Sequence, residues 1–425
     1  MRNALKTIVL CMLVAHGAAA QEQLSNTDDL DVPEIPPRVP ETGEPLLRVF
    51  VEPKISTLYE TNPLRAVDGA EQDDISVAIT PRARFVLTGD EVQGELALGV
   101  EVGRSLDLTQ NNYIDAEARA RGRWLINDSL TGDIDFRVRR DHNAINESSG
   151  DLSSAADEVT VFHDVTLDLG LEQDLDTWRL RGFGEAYFID FDDFTPQASG
   201  LPPLFNGDRD RIEVGGGLRA IYPLSDSLSV FAEGSLDRRS YFDNLEGRSF
   251  DRSSTGYGGL TGLTFVDSTA TLEVQTGLGL EYRNYDASFF GSDVAPVAAV
   301  KFDYRPTEIL SRIRGRFDAG IRETDLSTAS GFVQYRLRFD LTKEFSPGYE
   351  LSAGTDLELR EFEIVQPGVQ SRSDFLSRIN LGMQVPVIES FFASGTVGYE
   401  RRDSDVQSAQ YAGIYVLFAV ESRFE

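Results

Sequence analysis

The chain has 425 residues and sets 40 Lys and Arg against 70 Asp and Glu, a formal charge of −30. So acidic a chain argues against nucleic acid as a partner and against attraction to anionic surfaces. Its length would serve two or three ordinary domains, yet no Pro/Gly/Ser-rich linker divides the interior, so a single large architecture is expected.

Residues 1–20 carry Arg2 and Lys6, an apolar run from Ile8 to Val14, and Ala18-Ala19-Ala20 before Gln21. That is the layout of a cleavable secretory signal peptide. Removing its two positive charges takes −30 to −32. Cys11 leaves with it, so disulfide and thiolate chemistry are not expected in the remainder. Residues 21–45 are acidic and proline-rich (DDLDVPEIPPRVPETGEP), a composition that cannot bury a core. They are read as a disordered or extended periplasmic lead-in, with a docking segment for a periplasmic partner or a partial plug as the alternatives. After residue 20 no apolar run approaches the roughly 18 residues that a membrane helix requires. A closed barrel needs no such run, because its strands satisfy one another's backbone groups.

From Leu47 onward about 18 alternating segments follow. They begin near Leu47, Asp74, Val92, Asn112, Asp128, Val159, Thr177, Arg209, Ser227, Ser254, Ala270, Asp293, Glu308, Gly331, Gly348, Asp374, Ser390 and Gln410. Pro53 and Pro81 fall inside the first two, where each removes a ladder hydrogen bond, so an irregular seam is expected there. Tight turns, from Gly89-Asp90 and Asn127-Asp128 through Pro306-Thr307 to Ile388-Glu389, alternate with longer polar connections such as 142–158 and 190–210. This is the plan of a transmembrane, antiparallel, up-and-down β-barrel with short periplasmic turns and long extracellular loops over residues 46–425.

A soluble β-protein also alternates, so other features must decide. One strand face is rich in Leu, Val, Ala and Gly, as in Leu272, Val274, Leu278 and Leu280. Aromatic residues gather at segment ends: Trp124, Trp178, Tyr222, Tyr304, Phe345, Tyr349 and Phe391 by the short turns, and Tyr113, Phe188, Tyr282, Tyr399 and Tyr411 by the long ones. Two such belts match the interfacial girdles of a membrane barrel. The last segment ends one residue after Phe424, close to the terminal aromatic of such barrels.

The opposite face is a lattice of charge. The clearest case is 113–141, where Asp115, Glu117, Arg119, Arg121 and Arg123 alternate with small apolar residues, followed by Asp133, Asp135, Arg137 and Arg139. Arg312, Arg314, Arg316, Arg336 and Arg338 repeat the pattern later. Beyond the leader only Lys54, Lys301 and Lys343 are lysine, so the basic groups are planar forks suited to carboxylates or sulfates. Two accounts stay open: a salt-bridged wall, or a positive strip guiding anionic solutes or an acidic glycan. The acidic stretches at 188–194 and 241–247 do not match a dedicated calcium loop. His142 is placed in a loop, and His163 at the outer end of a strand on its lipid face. Beside Ser153 or Ser154, His163 is the nearest approach to a hydrolase pair. No Gly-x-Ser-x-Gly, metal-spaced His/Cys cluster or phosphate-cradling loop appears, so no catalytic residue, metal or cofactor is expected.

The stretches RVFVEPKISTLYETNPLR (48–65), DDISVAITPRARF (73–85) and NNYIDAEARARGRWLINDSL (111–130) together resemble the putative β-barrel porin 2 family. The resemblance rests on the early prolines, Tyr59-Glu60-Thr61-Asn62-Pro63 and the Asn-Tyr-x-Asp start of a basic strand. It implies a non-enzymatic barrel in the bacterial outer membrane, in contact with lipid and lipopolysaccharide. A diffusion channel for hydrophilic solutes is the first expectation. A barrel for exopolysaccharide export with a periplasmic partner, and a structural or adhesion barrel without an open pore, are the alternatives.

Overall fold

The computed structural model describes residues 46–424, apart from 67–68, 144–158, 194–206, 243–250, 270, 289, 307–311, 325–328 and 365–371. The leader and the 21–45 segment lie outside the described residues. Twenty β segments follow one another. They are β1 (Leu46–Val51), β2 (Lys54–Glu60), β3 (Asp74–Thr80), β4 (Arg82–Thr88), β5 (Val92–Ser105), β6 (Tyr113–Asn127) and β7 (Leu130–Asn143), then β8 (Thr160–Leu175), β9 (Trp178–Phe191), β10 (Arg211–Pro223), β11 (Leu228–Tyr241), β12 (Ser254–Val266) and β13 (Leu272–Tyr285). The rest are β14 (Ser292–Tyr304), β15 (Arg312–Arg322), β16 (Ala329–Ser346), β17 (Tyr349–Ile364), β18 (Arg372–Ile388), β19 (Phe391–Ser404) and β20 (Tyr411–Ser422).

These segments make eighteen wall strands, because the first two strands are each cut in half by a proline. β1 and β2 are separated by Glu52-Pro53, and β3 and β4 by Pro81. The breaks lie side by side, so the halves of one strand pair with the halves of the other: β1 with β4, β2 with β3. The missing ladder bonds are replaced locally, since Glu52 N–H donates to Arg82 O at 2.8 Å, Ser422 N–H to Pro53 O at 3.0 Å and Val100 N–H to Pro81 O at 3.2 Å. The seam expected from the sequence is therefore a paired kink in which donors are re-satisfied.

Every strand pairs antiparallel with its chain neighbour, and β2 pairs with β20 from Lys54↔Glu421 to Glu60↔Tyr415, which closes the ring. Asn62 ties the same joint by donating to Ala412 O at 3.0 Å. Among the described residues no helix is long and apolar enough to cross a membrane; the strands do the crossing.

Burial runs opposite to that of a soluble protein. Leu218 and Leu278 are 73% and 68% exposed, whereas Arg283 is 1% exposed. Apolar side chains face outward and charged ones inward, the arrangement that lipid outside and water inside demand. Trp178 packs against Tyr222 with ring centroids 4.9 Å apart near one rim, and Tyr257 against Tyr282 at 6.2 Å near the other. Phe391 meets Phe424 edge to face at 5.6 Å.

Three expectations change. Tyr113 and Tyr411 are not girdle residues, because both share the inward side of their strands and donate their hydroxyls, at 2.6 Å, to Glu101 and Glu400. A phenol beside a carboxylate gains more than one left at a lipid interface. His142 lies within β7, not in a loop. The connection at Pro306 is longer than a tight turn, since β14 ends at Tyr304 and β15 begins at Arg312.

If the outward face meets hydrocarbon, Leu278→Arg in mid-strand should cost about 2–4 kcal/mol of folding stability in bilayers. Equilibrium unfolding in lipid vesicles checks this; a neutral outcome would mean that the face meets water.

Candidate functional site

The inward face is built by register. Rows of partners circle the wall, and in each row the side chains share one side of the sheet. One row sets Arg121 beside Asp135 and Asp168; another sets Arg119 beside Arg137 and Thr166. Opposite charges then find each other along and across rows.

Most of the sequence-predicted arginines are paired. Arg119 Nε donates to Asp135 at 2.9 Å, and Arg121 Nη2 to Glu95 at 3.1 Å. Arg139 reaches Asp164 at 2.6 Å and Asp141 at 3.0 Å. Arg312 holds Asp303 at 2.5 Å, Arg316 holds Asp318 at 3.1 Å, and Arg336 holds Asp356 at 2.5 Å, with Arg338 3.6 Å from the same carboxylate. Arg314 stands opposite both Asp303 and Asp340. Asp133 faces Arg123 in register but bonds Arg181 at 3.0 Å instead.

Arg123 and Arg137 are the exceptions. Among the described residues no ion pair joins either to a carboxylate; Arg137 meets only the Thr166 hydroxyl, at 3.4 Å. Glu117, opposite Arg139, has no ion pair there either. It stands nearer the long-connection end of β6, and Arg123 nearer the short-turn end. Glu117, Asp115, Glu101, Thr80, Arg82 and Arg139 line a cavity of about 310 Å³ on this stretch of wall.

Glycines supply a device that sequence reasoning missed. Asp237, Gly256 and Arg283 occupy one row on three successive strands. Arg283 reaches across the glycine to Asp237 with two bonds of 2.7 and 2.9 Å. A Cβ on Gly256 would stand 2.0 Å from the Asp237 carboxylate, so only a bare backbone lets the pair close. Gly170, between Asp133 and Arg181, is overlaid in the same way. The signal in sequence is an inward-phase glycine between opposite charges, legible only once the register of three strands is known.

His142 Nδ1 sits 2.9 Å from Asp115 and 3.7 Å from Asp141, and its ring stacks on Tyr113 at 4.0 Å. Among the described residues this is the one grouping whose donor atoms converge within 4.8 Å as a metal site would require. Asp115 and His142 satisfy each other by hydrogen bonding, and Arg139 neutralises Asp141, so the arrangement stands without an ion. His163 is exposed, 3.6 Å from Asp192; Ser153 and Ser154 lie outside the described residues.

A family model for putative beta-barrel porin 2 matches residues 49–424. The chain belongs to this family. It is thus an outer-membrane barrel, with the short turns on the periplasmic side and the long connections outside. No match is found among curated proteins. Among solved structures it is similar to Pseudomonas aeruginosa OpdK with vanillate, at 10% identity over 88% of this chain and 99% of that one, with a TM-score of 0.45. Pseudomonas aeruginosa OccK3 gives 13% identity, coverage of 88% and 95%, and a TM-score of 0.42. Pseudomonas aeruginosa OccK2 in complex with glucuronate gives 11%, 89% and 98%, and 0.44. At these values the likenesses say nothing of what this barrel passes.

At the outer end, burial beside Asp190 and Asp193 pushes the Asp210 carboxyl up to about 7, although it accepts the Phe191 N–H at 2.7 Å. The folded state therefore holds this proton more tightly than the unfolded chain, whose carboxyl titrates near 4. Its contribution favours the fold below the unfolded value and is lost as pH rises through about 7.

Two outcomes follow. Protease cleavage between β9 and β10 should increase from pH 5 to pH 8 in the native barrel and stay flat with Asp210→Asn, read by peptide mapping. Gly256→Val should destabilise the barrel by about 3 kcal/mol, the scale for parting a buried ion pair, measured as the urea midpoint in vesicles.

Proposed function

We propose that the protein is a water-filled diffusion channel for small hydrophilic solutes, with a preference for anions set on the β6–β7 wall. The supporting observation is the charge bookkeeping of the lumen. Nearly every inward arginine shares a carboxylate, whereas Arg123 and Arg137 carry guanidinium charge that no ion pair offsets among the described residues. An offset pair presents a passing ion with a dipole, while an unshared guanidinium presents a full charge.

The paired arginines, Arg119, Arg121, Arg139, Arg312, Arg316, Arg336 and Arg338, serve in this reading as a rigid polar lining. Arg side chains held to carboxylates on the wall are kept out of the water column. Solutes then meet a wall of fixed shape, and selectivity comes from the few charges left over. The same bookkeeping leaves Glu117 and Glu101, the latter bonded to the hydroxyls of Thr80 and Tyr113, as negative marks nearer the external side, so anions pass acidic groups before the two arginines.

The test is the reversal potential in a salt gradient across a planar bilayer. Wild-type protein should favour anions, and Arg123→Gln with Arg137→Gln should lower the anion-to-cation permeability ratio by about two-fold or more. Arg312→Gln, which leaves Asp303 its second partner Arg305 at 3.2 Å, should change the ratio less than the Arg123 and Arg137 pair does. A native pore that prefers cations would remove the anion assignment, and one that never opens would remove the channel.

A further inference from the structure

The eighteen-strand wall parts at one joint among the described residues. β14 and β15 pair from Tyr304↔Ile313 only as far as Ala298↔Ala319. Outward of that point β14 stays with β13 up to Asn284↔Ser292, and β15 stays with β16 up to Arg322↔Phe332. The two halves of the wall diverge toward the external side.

Burial shows which way β15 and β16 go. Ala319 and Ile321 occupy the strand side that faces lipid elsewhere, yet they are only 4% and 3% exposed. Ala329, Ser330, Gly331 and Phe332 are four successive buried residues, so both sides of the β16 start are covered. The inward residues Ala295, Val297 and Ala299 of β14 are buried as well. A strand end covered on both faces, beside a wall strand whose inner face is also covered, lies inside the wall.

The contacts at its tip say the same. Glu323, just past β15, is paired with Arg239 and accepts the Tyr241 hydroxyl, and Arg252 donates to the Thr324 carbonyl. Arg239 and Tyr241 belong to β11, four strands away. Four inter-strand steps of about 4.8 Å make roughly 19 Å along the wall, beyond what Glu and Arg side chains bridge from within it. Gly331 sits so close in this fold that a Cβ would lie 2.7 Å from Arg322 O and 3.5 Å from the Tyr285 hydroxyl.

The sequence also opposes the ordinary closed wall. Continuing the β14–β15 register would put Pro296 opposite Ile321 and Val294 opposite Glu323. Pro296 has no N–H to offer a partner strand. Glu323 would then take the side of Val294, which is 66% exposed on the outer face, and place a carboxylate toward lipid.

We infer that the inward-folded segments 321–324 and 329–332 form a built-in constriction that sets the size of solute the pore admits, with Glu323 as the residue that positions it. The inference rests on the channel reading. It assigns the conduit to the β5–β8 side of the lumen, past Arg119, Arg123 and Arg137. The constriction narrows the pore with strand ends continuous with the wall and pinned by ion pairs, and the paired rows of β10 to β13 form its seat.

The test uses the full barrel in planar bilayers. Glu323→Ala with Arg252→Ala removes the tip's polar tethers and should raise single-channel conductance about two-fold or more, while admitting neutral polyethylene glycols that the native pore excludes. Unchanged conductance and cut-off, in a variant that retains the heat-modifiable gel mobility of a folded barrel, overturn the constriction. A silent native protein with a conducting variant keeps the constriction and removes free diffusion; silence in both removes both. A second measurement needs no conductance. Ala295→Cys with Arg322→Cys, three residues beyond the last pair Ala298↔Ala319, would be directly paired if β15 closed onto β14, so oxidation in native membranes should leave them unlinked. An efficient disulfide overturns the inference.

Discussion

In a bilayer core an unpaired backbone amide has no water to turn to, and this barrel is arranged around that fact. Ring closure joins β2 to β20 over seven residue pairs, while β1 pairs with β4 and meets the far end of the chain through the Val51–Phe424 bridge. The two early prolines, each of which deletes a donor, sit beside one another so that a single kink absorbs both. Where β14 and β15 part, β14 carries Pro296, which has no N–H to offer, and Ala319, Ile321 and Ala329 of the separating strands are buried.

The second organising force is the need to keep charge in the interior without leaving it alone. Forty basic and seventy acidic residues cannot all pair, but the lumen resolves its arginines with economy: most meet a carboxylate one or two strands away, and glycines open the crossings. Ion pairs of this kind rigidify a wall more surely than they stabilise it, because desolvation consumes much of the attraction. The channel thereby acquires a hard lining whose net field depends on a small number of leftover groups.

Much of the architecture was legible in the sequence because strand period and turn spacing are local. The alternation in 113–141 and in the strands after it, the irregularity at Pro53 and Pro81, and the short and long ends, apart from the connection at Pro306, are found as read. What escaped depends on register between distant segments. Arg283 selecting Asp237 across Gly256, Asp133 leaving Arg123 for Arg181, and Tyr113 turning inward to Glu101 cannot be seen along one strand. The end of β15 and the start of β16 read as ordinary alternation until the β14–β15 pairing is known to stop at Ala298. Both open accounts of the charged face have a place in the result: pairing describes most arginines, and Arg123 and Arg137 are where the positive strip is proposed to survive.

The joint between β2 and β20 carries a consequence for assembly. Asn62 and Ala412, joined by a hydrogen bond, are separated by 350 positions in the chain, and the loop-closure entropy of so distant a contact must be met before its bonds return anything. Until then β2 and β20 are both raw edges, each a template for a wrong partner. The sheet can grow hairpin by hairpin from the middle, but its last step joins its two most distant strands, so insertion into lipid and closure of the ring become one event.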